Sequence, residues 1–291
     1  PSPGTSRSGK RAPRKTARDR NKRPPAMAAF VVYLAMLEPI VEFWKQFDPQ
    51  PRKPNIHPKD ADWMKDHWQE PLKAPLYEGW EDYLAGGRFG MHDKALHLSL
   101  IPTPYMGNLR DAKVLLFVAN PGFGDEDYYF EDQPGIREML IRNLKQETNG
   151  DFPFFFLDPN LAWSGGFRWW ERRLRPLIDE LVSRKESNNI EVMKFLARNI
   201  AAVELFPYHS RDGSQLKGVN MEPRMPSVLE AREFLVRRSQ NAEQLTVVLR
   251  AHKKWEDRCP ATFLDHHYHG PIQQTISLDP KFETGKKILA H

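Results

Sequence analysis

The chain has 291 residues, 40% hydrophobic and 28% charged, ample apolar material for one large domain or two small ones. Its net charge of +5 is unevenly placed: residues 1–26 carry nine Lys and Arg against Asp19, a net +8, which leaves −3 for residues 27–291. A single cysteine, Cys259, excludes an intramolecular disulfide and a cysteine-based zinc cluster, and the twelve-residue apolar run Ala26–Leu37 falls short of the ~20 residues that span a bilayer.

Residues 1–26 form a basic tail of Ser, Pro, Lys and Arg that cannot bury a core, so disorder is expected there. Two readings of the tail stand: an electrostatic arm for nucleic acid, or sequence that precedes a natural start at Met27. A long basic segment followed by Glu38-Pro39 does not make a secretory signal. The expectation is a reducing, cytoplasmic setting with no membrane anchor. Residues 27–104 read as an N-terminal extension packing on the core. Phe30, Leu34, Leu37, Val41 and Trp44 keep helical spacing, with Pro39 as a kink, and a Pro- and Trp-rich stretch follows.

The pattern changes from residue 105. The run 113–119 is short, apolar and closed by Asn120-Pro121-Gly122, the profile of a strand buried on both faces. Runs 200–206 and 245–250 repeat it, and 275–278 is a weaker fourth. Helical spacing lies between them at 134–146 and 167–185, and Ser227-Val-Leu-Glu230 has the form of a capping box. Strands alternating with helices over 105–291 predict a three-layer α/β/α domain around a mostly parallel four-stranded sheet.

In such sheets ligands bind beyond the carboxyl ends of the strands. That rule selects Asn120 to Gly124, Pro207 to Ser210, Ala251 to Lys254 and Asp279 to Lys281. The sharpest feature is the Asn120-Pro121-Gly122 turn, where proline fixes φ, glycine permits a steep turn, and the asparagine carboxamide is held in front to orient a water. The Asp265-His-His-Tyr-His269 run suggests metal only with a further ligand from elsewhere, and no metal or cofactor is assigned.

Val118-Ala-Asn-Pro-Gly122 resembles the first motif of the uracil-DNA glycosylase superfamily, closest to its mismatch-specific thymine/uracil branch. Glu204-Leu-Phe-Pro-Tyr-His209 is similar to a later strand and turn of that fold. At the place of the superfamily's second motif, Ser277-Leu-Asp-Pro-Lys281 holds no histidine. The resemblance implies a DNA glycosylase that flips a uracil, mismatched or modified pyrimidine out of DNA and hydrolyses its N-glycosidic bond, in repair or in defence against foreign DNA. By the resemblance Asn120 positions the attacking water. The chemistry also needs an aromatic wall for the base and donors to the departing anion. Phe123, Tyr128 and Tyr129 are candidates for the wall, with Pro121, Gly122 and Tyr208 beside them. His209 and His252 are candidate donors, and one of Asp125, Glu126 and Asp127 is a candidate water activator. Arg250, Lys253 and Lys281 are candidates for the DNA backbone. DNA is the expected partner. The alternative is a nucleic-acid-binding protein that keeps the fold without turnover.

Overall fold

The computed structural model describes residues 39–49, 54–91, 94–211, 224–241, 243–256, 268–269 and 278–291. The helix expected from Met27 therefore lies outside the described residues up to Glu38, as do His266, His267 and residues 275–277 of the expected fourth strand. Among the described residues no helix is long and apolar enough to cross a membrane, and no group of His, Cys, Asp and Glu has the arrangement of a metal site.

The protein is α/β. Among the described residues, five strands form a mixed sheet in the order β1-β3-β2-β4-β5. These are β1 (Tyr105–Met106), β2 (Val114–Val118), β3 (Ile200–Glu204), β4 (Leu245–Val248) and β5 (Tyr268–His269). The three apolar runs that predict strands become β2, β3 and β4. Their pairings are parallel, with Leu116 beside Ala202 on one side and Val247 on the other. Every residue of β2 and β3 is buried, which is why both runs lack polar alternation. The pairings among β2, β3, β4 and β5 are parallel, and β1 adds an antiparallel edge against β3. The described sheet has five strands where four are expected. Of the expected strand at 275–278 only Leu278 is described, and it lies outside any strand.

Helices fill the connections. Residues 39–45 (α1), Pro58–His67 (α2) and Trp80–Ala85 (α3) precede the sheet. Between β2 and β3 come α4 (Glu126–Glu131), α5 (Ile136–Leu144), α6 (Gly165–Lys185) and α7 (Asn189–Asn199). The last three are α8 (Pro226–Ser239), α9 (His252–Glu256) and α10 (Glu283–Ala290). The helix expected from Phe167 begins two residues earlier because Ser164 caps it, its Oγ accepting from Phe167 N at 3.1 Å. At α8 the expected capping box does not form. Pro226 opens the helix, Ser227 lies within it, and Asp60 of α2 supplies the capping oxygen, accepting from Ser227 N at 2.9 Å.

That cross-chain cap shows how the N-terminal segment joins the rest. Asp60 also accepts from the Tyr208 hydroxyl at 2.7 Å, and that hydroxyl accepts from His57 N at 3.1 Å. Ile40, Phe43, Trp44, Met64 and Leu98 belong to the same apolar cluster as strands β2 to β4. The chain leaves β2 for β3 on one side, then passes from β3 to β4 on the other side of β2. The connections therefore diverge at the carboxyl ends of β2 and β3, and a crevice opens between them.

Candidate functional site

A cavity of about 310 Å³ occupies that crevice. Its floor is the loop after β2, and Val118 to Gly124 all line it. Gly122 takes φ +75°, the left-handed conformation that glycine adopts without strain, and so turns the loop back over the strand end. The Asn120 side chain is fixed by donating Nδ2 to Ser210 O at 3.1 Å and to Ser210 Oγ at 3.2 Å. Its amide nitrogen is thus committed, and Oδ1 is left to accept a hydrogen bond from a guest.

Carboxyl groups surround this amide. Asp127, in the first turn of α4, is half-buried, lines the cavity and accepts from Gly124 N at 2.9 Å. Burial raises its pKa to about 7, helped by the charges of Glu126 and Asp125 and opposed by the Gly124 N–H and Arg211. Glu131 is raised to about 8, again by burial, against the pull of Arg137 at 2.7 Å and of Ile101 N at 2.7 Å. Glu204, the last residue of β3, is paired in register with Val118. It is 4% exposed, its Oε2 has no hydrogen-bond partner, and burial lifts its pKa well above the usual range despite the nearby charge of Arg250. Three acids with raised pKa values share one hollow, a pattern associated with proton-handling sites.

Aromatic side chains form the walls. Phe123 lines the cavity and stacks on His97, with centroids 3.4 Å apart. Phe156 and Trp169 face it from the other side. Gly166, at the start of α6, gives the Phe156 ring its room, since a Cβ there would lie 2.2 Å from the ring. Arg211 closes one edge, 3.0 Å from Asp125 and above the Phe123 ring, its guanidinium carbon 5.5 Å from the centroid. Burial opposes ionisation of Asp125, yet bonds from Tyr83, Arg211 and Gly90 N hold its carboxyl below the ordinary range.

Of the residues selected from sequence, Asn120, Pro121, Gly122, Phe123, Gly124, Glu126, Asp127, His209 and Arg250 meet at this cavity. His209 is held from both sides: Nδ1 lies 3.1 Å from Gly122 O, and Nε2 lies 3.0 Å from Ile101 O. Burial lowers its pKa to about 4 against the effect of those two carbonyls; the neutral ring has one N–H and donates to only one of them, as a brace between the Asn-Pro-Gly loop and Ile101. The others lie elsewhere. Tyr208 is buried in the bond to Asp60. Tyr128 packs in a satellite cluster with Tyr77, Tyr83, Leu100 and Phe123. Tyr129 is exposed, edge-on to Trp80 and Trp163. His252 is buried at the start of α9 with Nε2 2.8 Å from Val248 O. Lys253 and Lys281 are exposed and do not line the cavity.

Sequence reading did not single out Glu131, Glu204, Arg211 or Phe156. Glu204 did leave a signal, as the one charge in the otherwise apolar run 200–206. Compared with family models, curated proteins and solved structures, the chain matches none.

Proposed function

We propose that this protein is a monofunctional DNA glycosylase, which receives an everted pyrimidine nucleotide in the 310 Å³ cavity and hydrolyses its N-glycosidic bond. The observation that carries the reading is the placement of Asn120 and Asp127 on one cavity beyond the carboxyl end of β2. A right-handed sense for both crossovers would put α6 and α7 on one face of the sheet and α8 on the other. That is the three-layer arrangement expected of the uracil-DNA glycosylase superfamily, which the Val118–Gly122 motif resembles.

In this mechanism Asn120 Oδ1 and Asp127 hold a water beneath the sugar. Asp127, with a pKa about 7, is partly ionised at neutral pH and takes the water's proton as its oxygen attacks C1′. The N-glycosidic bond breaks, and its electron pair leaves with the base. Glu204, whose pKa burial raises, donates a proton to the departing base, while Arg211 and Arg250 stabilise the growing negative charge. Among the described residues no lysine lines the cavity to form a Schiff base, which favours water as the nucleophile. The cavity lies at the lower end of the size range of small-molecule sites, enough for one base. The substrate class is uracil, mismatched thymine or a modified cytosine, and the setting is base excision in repair or in antiviral defence within the cytoplasm.

The test is strand scission by alkali after incubation with duplexes carrying uracil, thymine opposite guanine, hydroxymethylcytosine or its glucosylated form. Scission that disappears in Asn120→Ala supports the proposal. A second reading, binding without turnover, draws on one observation: the histidine at the cavity is neutral and wedged between two backbone carbonyls. Retention of DNA with no scission on any of these duplexes would favour it.

A further inference from the structure

Glu204 ends β3 in the wall of the cavity. Its backbone is fixed on both sides: Glu204 N donates to Pro104 O at 2.8 Å, and Val118 lies beside it in register. The next two residues bond the chain that leads to Asn120, Leu205 N to Val118 O at 3.2 Å and Phe206 N to Ala119 O at 3.0 Å. Glu204 and Asn120 therefore stand at neighbouring strand ends of one hollow. The other acids of the cavity have hydrogen-bond partners. Glu131 accepts from Ile101 N and Arg137, Glu126 from Arg168, and Asp127 from Gly124 N. Glu204 is 4% exposed, and its enclosed Oε2 has none among the described residues.

A buried polar atom left without a partner costs free energy that a guest supplying one gives back. Burial favours the protonated carboxyl, which sets one O–H donor beside one acceptor oxygen. The matching edge of a guest carries an acceptor next to a donor. Both classes of pyrimidine have such an edge: N3 beside the N4 amino group in cytosine, O4 beside N3–H in uracil. They differ in where the shared proton can rest. Against cytosine it can stay on Glu204 or cross to N3, and both hydrogen bonds survive in either place. Against uracil an ionised Glu204 would set oxygen against O4.

We propose that Glu204 reads the Watson–Crick edge of the guest and selects an aminopyrimidine, cytosine or a derivative of it, over uracil and thymine. The catalytic part of this assignment rests on the glycosylase reading, whereas the preference for an aminopyrimidine edge does not. In the reaction Glu204 passes its proton to N3, the C1′–N1 electron pair moves onto N1, and the base departs neutral. The attacking water gives its proton to Asp127.

The experiment measures binding of free cytosine, hydroxymethylcytosine and uracil to the full chain and to Glu204→Gln by calorimetry. Melting temperatures establish that both proteins are folded. The parent should bind cytosine at least about tenfold more tightly than uracil, the order of discrimination that a matched pair of hydrogen bonds to a base edge provides. A carboxamide presents N–H and C=O to either edge and has no proton to pass on, so Glu204→Gln should bind the two bases almost equally. The N3 resonance of isotope-labelled cytosine should move toward its protonated position on binding the parent and not on binding the variant. Uracil bound by the parent as tightly as cytosine would overturn the assignment, and so would an N3 resonance that binding leaves unmoved. These two results decide even if the variant proves unstable. A preference unchanged in folded Glu204→Gln, or a parent that binds neither base, would also overturn it. Alkali scission of duplexes carrying each base separates the two claims. Aminopyrimidine preference without base release from any duplex would keep Glu204 as the reader and remove catalysis. Uracil release with no preference between the bases would keep the glycosylase and remove the reader.

Discussion

Asp127 is where the chemistry of this site can be read through proton binding. Its folded pKa of about 7 stands above the ordinary 3.8 of an aspartate. Below the lower value both folded and unfolded chains hold the proton, and the raised pKa contributes its full stability. As pH rises through the higher value that contribution is lost. Asp127→Asn should therefore raise the melting temperature more at pH 8 than at pH 5, measured by calorimetry at both. In activity the sign is opposite, since a general base works when ionised. Base release should climb with pH up to about 7 and then level. Asp127→Asn should erase that limb and slow the reaction by about 10²- to 10⁴-fold. A limb that persists in the variant would assign the base elsewhere. Asn120 was legible because a rigid Asn-Pro-Gly turn ends an apolar strand, so its location follows from local geometry. Asp127 was only half legible. Asp125, Glu126 and Asp127 are chemically alike in sequence and differ once α4 aims one at Tyr83 and Arg211, one at Arg168, and one into the cavity.

At the level of elements, the helices set the shape of the hollow. Gly165-Gly166 opens α6 against the loop of Phe156, and the second glycine leaves no space for a methyl group. Gly166→Ala should push Phe156 toward the cavity or shift the helix start. The expected result is weaker substrate binding with a modest loss of stability, about 1 to 3 kcal/mol for an overpacked site; activity and melting temperature equal to the parent would show that the wall does not matter. The strands with five consecutive buried residues were legible, and so were the long amphipathic helices. Strands β1 and β5 have two residues each, too few for any periodicity to show, and they exist because β3 and β4 offer free edges. The start of α8 was misread for a different reason. Its cap comes from Asp60, more than 160 residues earlier in the chain, and no local pattern carries that information.

Across the whole molecule, the segment before the sheet is part of the architecture that holds the site. Tyr208 stands one residue before His209, the brace of the Asn-Pro-Gly loop, and its hydroxyl joins Asp60 to the backbone of His57. Tyr208→Phe would leave the His57 N–H and an Asp60 oxygen without that partner in a buried place, at a cost of about 1 to 3 kcal/mol. For a protein of this size that corresponds to a fall in melting temperature of roughly 2 to 4 °C per kcal/mol. The same logic extends to a cut before residue 105. Such a cut would remove Ile40, Phe43, Trp44, Met64, Leu96, Leu98 and Ile101 from the apolar cluster that contains β2 and β3. It would also take Ile101 O and Thr103 from His209 and the capping carboxylate from α8. Each removed large aliphatic side chain is worth a few kcal/mol of burial, while a whole domain has a margin of only about 5 to 15 kcal/mol. The fragment 105–291 should therefore lack a cooperative urea transition, whereas the full chain shows one shared by circular dichroism and tryptophan fluorescence. A fragment that unfolds cooperatively would mean that the sheet and its cavity stand on their own.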